Sequence, residues 1–224
     1  MKKLYFLLLA CFGLSAISCS QSPKITLVCH AALKIKTTAG TVIYIDPYSK
    51  GDYSETADLI LVTHGHDDHN KVDSVSKKDS TEIITYKDLH PNINTYNSIE
   101  KLDVKITAVP AYNKNHAKNS CVGYILEFDG FKIYHSGDTD YIKEMDDLAS
   151  QNIDYAFIPA DGIFNMGPEE ATKAAQAIGA KYTVAIHNNG TNFAISKPKD
   201  ELFEKFTPEN RLFINYGDSI KLTK

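Results

Sequence analysis

Apolar positions fall in short bursts of four to seven residues, and most bursts carry the two-residue alternation or unbroken run of a β-strand. Residues 25–29, 33–37 and 41–45 predict sequential antiparallel strands, with Ala39-Gly40 as a turn. Within 58–63, Leu59-Ile60-Leu61-Val62 is continuous, the pattern of a strand covered on both faces. Residues 82–85 predict another strand, 86–89 a short helix, and 104–109 a strand ending at Pro110. In the second half, 122–128 and 132–135 read as a hairpin around Asp129-Gly130. Residues 141–149 predict a helix with Asp140 as its N-cap. A strand over 154–159 follows, then the clearest helix, 168–178. It has Pro168 at its first position and Glu169 and Glu170 in its first turn. Ala171, Ala174, Ala175 and Ile178 share one face, and Gly179 ends it. Residues 182–186 predict a strand, 199–206 a helix, and 212–214 and 219–222 two last strands. Two strand-rich halves, each with helices, predict an α/β domain of packed sheets with helices outside.

The N-terminus departs from this pattern. Lys2-Lys3 precedes an apolar stretch over 4–17 that is too short to span a membrane. Ala16-Ile17-Ser18-Cys19 then resembles the lipobox of bacterial lipoproteins, and Leu8-Leu9-Ala10-Cys11 is a second such string. The resemblance implies a signal peptide over 1–18 and lipidation of Cys19. It also implies a tether over 19–24 and a location in the bacterial cell envelope, periplasmic or surface-facing. An ordinary secretory signal cleaved nearby is the alternative. Residues 25–224 are left as one catalytic domain.

Composition agrees with that division. A chain of 224 residues, 43% hydrophobic and 23% charged, is ordinary for a globular protein. The net charge of −4 and the lack of a strongly basic stretch disfavour a nucleic-acid partner and leave a small-molecule substrate. Apart from the lipidated Cys19, only Cys29 and Cys121 remain beyond the signal peptide, too far apart for a metal knuckle. Export permits a disulfide between them, but two small buried side chains is the simpler reading.

The chemistry concentrates just past the 59–62 run, in His64-Gly65-His66-Asp67-Asp68-His69. An extended backbone points His64 and His66 the same way, and a following turn lets Asp68 and His69 reach a second point nearby. Imidazole with carboxylate suits zinc, iron or manganese better than calcium or magnesium. A solvated polar turn is the alternative.

The His-x-His-x-Asp-His spacing resembles the metallo-β-lactamase superfamily, and the likeness extends over essentially the whole mature chain. It implies a four-layer αββα sandwich. It further implies one metal on His64, His66 and His116, another on Asp68, His69 and His187, and Asp138 bridging the two. The cofactors implied are two divalent ions, zinc first, with manganese or iron as alternatives. Asp46, in Tyr44-Ile45-Asp46-Pro47, matches a residue behind the metals, and Asp67 is expected to orient or solvate. His30 and His135 are expected to be supporting or packed, and His90, beside Pro91, exposed.

A nearer likeness is to the ascorbate-6-phosphate lactonase-like subgroup. It rests on Cys29-His30-Ala31, Asp46-Pro47-Tyr48, Pro110-Ala111-Tyr112-Asn113 and Gly123-Tyr124, and on the strings 133–140 and 165–171. Pro159-Ala160-Asp161-Gly162 departs from it, standing where that subgroup has a Gly-Gly pair. This loop is expected to border the substrate. A sugar-phosphate lactone is also a cytoplasmic substrate, whereas the leader predicts export.

The resemblance implies a hydrolase in which a metal-bridging hydroxide attacks a small ester- or lactone-type or phosphodiester substrate. Asp68 is expected to position the nucleophile or shuttle its proton. Asn165, Asn188 and Asn189 are candidate substrate contacts, and Ser136 is not needed as a nucleophile. Alternatives are a non-catalytic metal-binding envelope lipoprotein anchored through Cys19, or a β-lactam hydrolase. His69 counts against the β-lactamase subclasses with Arg or Cys in the second site.

Overall fold

A computed structural model describes residues 22–188 and 204–224. The signal peptide expected over 1–18, and most of the helix expected over 199–206, lie outside the described residues. No helix among the described residues is long and apolar enough to cross a membrane.

Two six-stranded mixed sheets make up the framework. The first holds β1 (Lys24–Cys29), β2 (Ala32–Lys36), β3 (Val42–Ile45), β4 (Ala57–Val62), β5 (Lys77–Thr85) and β12 (Ser219–Lys221). Its order is β12-β1-β2-β3-β4-β5, antiparallel up to β3 and parallel from β3 to β5. The second holds β6 (Ser98–Lys101), β7 (Val104–Pro110), β8 (Val122–Phe128), β9 (Phe131–His135), β10 (Tyr155–Pro159) and β11 (Tyr182–Ile186). Here β6 to β9 are antiparallel and β9, β10 and β11 parallel.

The sheets pack face to face. Leu33, Ile43, Leu59 and Leu61 from one meet Ile106, Leu126, Ile133 and Phe157 from the other in a shared core. Burying each such side chain contributes about 1.5–3 kcal/mol. The outer face of the second sheet is covered by α1 (Pro168–Ile178) and the 3-10 helix Lys143–Gln151, through Ala171, Ala174, Ala175, Met145 and Leu148. Tyr44, Ile60, Val62 and Val75 form a third apolar cluster on the outer face of the first sheet. The unbroken run in β4 is thereby explained: Leu59 and Leu61 enter one core, Ile60 and Val62 the other. This is the αββα sandwich with few helices.

Several elements differ from expectation. β5 begins at Lys77 rather than residue 82, because its charged first half is an exposed edge held by backbone pairing to β4. β6 is short and polar and has no apolar period to reveal it; its pairing with β7 makes it a strand. The helix expected over 141–149 is the 3-10 helix Lys143–Gln151, with Ile142 at its start and no side-chain cap. Asp140 is instead tied through its backbone N–H to Tyr112 O at 3.2 Å. Residues 212–214 form no strand; contact with β11 is a single bridge at Arg211, and the Asn210 side chain donates to Thr183 Oγ1 at 2.9 Å.

The carboxyl ends of β1, β3, β4, β9, β10 and β11 lead into His30, Asp46, His64, Asp138, Asp161 and His187. Links between the sheets there include the isolated bridge between His64 and Cys121, the Tyr124 hydroxyl donating to Val62 O at 2.9 Å, and the His187 N–H donating to His30 O at 3.0 Å. His30, Asp46 and His187 all take left-handed backbone, with φ of 53°, 49° and 48°. Residues with a Cβ pay about 1–2 kcal/mol each for this conformation, and such strain gathers at functional sites.

Candidate metal centre

The centre is organised by one buried carboxylate behind it. Asp46 accepts from the backbone N–H and the hydroxyl of Thr63, at 2.8 and 2.7 Å, and its Oδ2 lies 2.9 Å from His69 Nδ1. Thr63 Oγ1 in turn lies 3.0 Å from His64 Nδ1. A tight turn, with the His69 N–H donating to His66 O at 3.0 Å, returns His69 toward the strand end.

His116 is held by a different device. Asn113 Oδ1 accepts from the N–H groups of Asn115 and His116 and lies 2.9 Å from His116 Nδ1. The Asn113 amide donates onward to Phe164 O and Asn165 Oδ1. Asp138 depends on the turn after β9. Gly137 has φ of 62°, and a Cβ there would meet Val122 O at 2.4 Å, so glycine is required. Behind that turn, the Gly137 N–H donates to His135 Nδ1 at 3.1 Å, while His135 Nε2 lies 2.8 Å from Ala31 O.

All seven expected residues come together. Donor atoms of His64, His66 and His116 lie within 4.8 Å of one another, and so do those of Asp68, His69 and His187, which His30 joins. Asp138 stands between the groups. Its Oδ1 is 3.3 Å from His69 Nε2, and its Oδ2 is 3.2 Å from His187 Nε2 and 3.4 Å from His116 Nε2.

These residues fit a divalent metal. His64 Nε2, His69 Nε2 and Asp138 Oδ1 are buried and make no hydrogen bond among the described residues. Leaving such groups unsatisfied costs about 1–3 kcal/mol each, and imidazole with carboxylate is a transition-metal donor set.

The electrostatics point the same way. Burial pushes His64 down to about 3, with nearby His69 adding to the effect. Burial also takes His116 down to about 4, against the pull of Asp138. Both imidazoles are therefore neutral near pH 7 and carry a lone pair for a metal. Burial alone would raise Asp138, but His187 and His69 outweigh it and hold the carboxyl well below its usual range. Burial would likewise lower His69 and His187, but Asp138, reinforced by Asp46 for His69 and by Asp161 for His187, raises both.

An open cavity of about 420 Å³ exposes this cluster. Beyond the metal-type residues its wall includes Tyr48, Asp67, Lys71, Asn115 and Phe164. Lys71 Nζ pairs with the exposed Asp67 at 3.0 Å.

Other expectations are corrected. His90 is buried rather than exposed: its Nδ1 is 2.8 Å from Thr95 O and its Nε2 2.8 Å from Lys118 O, because the chain after Pro91 folds back over the ring. Asp161 does not border the cavity. It is buried, its Oδ2 lies 3.0 Å from His187 Nδ1, and its Oδ1 accepts from the N–H groups of Ile163, Phe164 and Asn165. Asn165 donates to Asp138 and Asp161, and Asn188 donates to Ala185 O and accepts from Tyr216, so both act as braces. Asn189 lies outside the described residues. Ser136 is buried and donates to Gly137 O. Cys29 and Cys121 are free and buried, and the Cys121 thiol donates to Asp138 O at 3.3 Å.

Sequence reasoning missed Thr63 and Asn113 as braces and Lys71, Asn115 and Phe164 as cavity wall. Asn113 was within sight, since it ends the Pro110–Asn113 string. The others have no spacing of their own to mark them.

Comparison with known proteins places this geometry among relatives. A family model described as "Beta-lactamase superfamily domain" matches residues 24–187. A protein named "UPF0173 metal-dependent hydrolase" from Thermococcus onnurineus is 35% identical over 192 residues, 74% of this chain and 84% of that one. A namesake from Pyrococcus furiosus is 32% identical, covering 89% of this chain and 99% of its own. A crystal structure from Parabacteroides distasonis superposes with a TM-score of 0.71 at 32% identity, over 88% of this chain and 94% of that one.

Proposed function

We propose that this chain, which belongs to the metallo-β-lactamase superfamily and within it to the UPF0173 metal-dependent hydrolases, hydrolyses a small ester- or lactone-type substrate at a two-metal centre. The observation that carries the two-metal reading is the place of Asp138, within 3.4 Å of His116 on one side and 3.3 Å of His69 on the other. His64, His66 and His116 would hold one ion, Asp68, His69 and His187 the other, and Asp138 would be shared.

When bound, such ions supply Lewis acidity toward a developing oxyanion and lower the pKa of water from about 15.7 to about 7. The residues do the rest. Asp46, Thr63, Asn113 and Asp161 fix imidazole orientation from behind, so no reorganisation is needed when substrate arrives. Asp68 is the partly exposed carboxylate of the cluster, with its side chain 24% accessible and facing the cavity. Its carboxylate would hold the second ion through Oδ2 and orient water at the edge of the cavity. Tyr48 and Phe164 supply apolar wall, and the Lys71 ammonium at the rim can receive an anionic substituent. A small acyl compound carrying a negative group matches that lining. A phosphodiester or a β-lactam uses the same water chemistry and belongs in the test.

The experiment is metal analysis of purified, reconstituted protein with hydrolysis assays on ester, lactone, phosphodiester and β-lactam panels, repeated on Asp138→Asn. We expect two equivalents of metal, turnover on the ester or lactone panel, and its loss in the variant. Less than one equivalent, or full metal without hydrolysis on any panel, overturns the reading.

A further inference from the structure

We infer that His30 is a ligand of the second metal position, which it would hold together with His69, His187 and Asp68, beside the shared Asp138. This rests on the two-metal reading above and adds a residue to it.

His30 follows β1 on the opposite sheet from His187, yet the two are locked together. The His187 N–H donates to His30 O at 3.0 Å, and the two rings lie 3.8 Å apart, centroid to centroid. His30 is buried and its ring is 5.6 Å from that of His69. The donor atoms of His30, Asp68, His69 and His187 all lie within 4.8 Å of one another.

The contacts around Asp68 show why a cation belongs at this focus. Its Oδ2 is 3.2 Å from His30 Nε2, 3.6 Å from His187 Nε2 and 3.8 Å from His69 Nε2. One carboxylate oxygen cannot accept from three imidazoles at good geometry. A single divalent ion can take a lone pair from each of the three nitrogens and from the oxygen. The backbone adds an independent observation. His30 has φ of 53°, where glycine or asparagine is the economical choice. A histidine held there spends backbone strain to aim an imidazole at this point. Such a nitrogen-rich set selects a transition ion over magnesium or calcium.

The test uses His30→Gln, which keeps a donor near the Nε2 position, and His30→Ala. Both are compared with wild type after reconstitution with cobalt(II). Binding is read by titration, coordination by visible absorption and X-ray absorption at the metal edge. We expect wild type to take two equivalents. In both variants the second equivalent should weaken by at least about 10–100-fold, the first should be unchanged, and one imidazole should be missing from the metal shell. A His30→Gln protein with wild-type affinity, spectrum and imidazole count reduces His30 to orienting Asp68 and overturns the inference alone. Wild type that takes only one equivalent overturns the two-metal reading instead. If His30→Ala fails to fold, the glutamine variant decides.

Discussion

Asp161 Oδ2 lies 3.0 Å from His187 Nδ1, on the side of the ring that faces away from Asp138. The carboxylate fixes which imidazole nitrogen faces the cluster, as outer partners of metal-binding histidines do. The position that departs from the lactonase-like pattern therefore serves the metal-type residues and not the substrate. Asp161→Asn retains an oxygen for the turn over 163–165 but loses the negative charge beside His187. We expect one metal equivalent to weaken about 10–100-fold with little loss of folding. Competition against a chromophoric chelator measures it, and unchanged affinity would remove Asp161 from this role.

Gly137 is the second point of control. Alanine there would have to keep φ of 62° and place a Cβ 2.4 Å from a backbone oxygen. Strain of about 1–3 kcal/mol lowers Tm by roughly 3–10 °C in a chain this long. Gly65→Ala is the control, since a Cβ there meets nothing within 4 Å. Thermal melts of the two variants should separate clearly; equal melts would mean the turn before Asp138 is not constrained as described.

Metal removal should act on stability as well as activity. An ion present at about 100 times its Kd stabilises the fold by about 2.7 kcal/mol. That corresponds to roughly 5–10 °C in Tm for a domain of this size. A chelator should lower the melting temperature by that amount and metal should restore it. A Tm indifferent to chelation would show that the cluster does not bind metal in the native state.

Lys71→Ala tests the substrate reading without touching the cluster. An exposed charge contact of about 0.2–1 kcal/mol predicts a KM about 2–5-fold higher for anionic substrates, with kcat unchanged. The effect should fade in high salt. Equal KM changes for neutral and anionic substrates would exclude an ammonium–anion contact.

The expected lipidation of Cys19 is tested separately. If Cys19 is lipidated, Cys19→Ala releases the protein from the membrane fraction and globomycin blocks its maturation. A Cys19→Ala protein still anchored after fractionation would refute lipidation.

How much was legible follows from what each signal depends on. The β4 run, the Asp129-Gly130 hairpin and the Pro168–Ile178 helix were readable because local hydrophobic period and turn chemistry specify them within a few residues. β6 and the first half of β5 were not, because edge strands owe their form to a neighbour's backbone. Four of the cluster's side chains sit within six residues, at His64, His66, Asp68 and His69, so spacing alone exposed them. His116, Asp138 and His187 came from the family likeness and lie 47, 69 and 118 residues beyond His69 in the chain.

By itself the sequence determined an α/β domain of packed sheets and a histidine–aspartate cluster at the end of an apolar strand, since both rest on periodicity and spacing; the four-layer αββα form was implied by the family likeness. Tertiary structure alone decided the rest. It turned Asp161 inward to His187, buried His90 between two carbonyls and brought His30 beside Asp68 from the end of β1. Each of these is a contact between distant segments, set by how two sheets close on one another, and no local pattern in the chain encodes it.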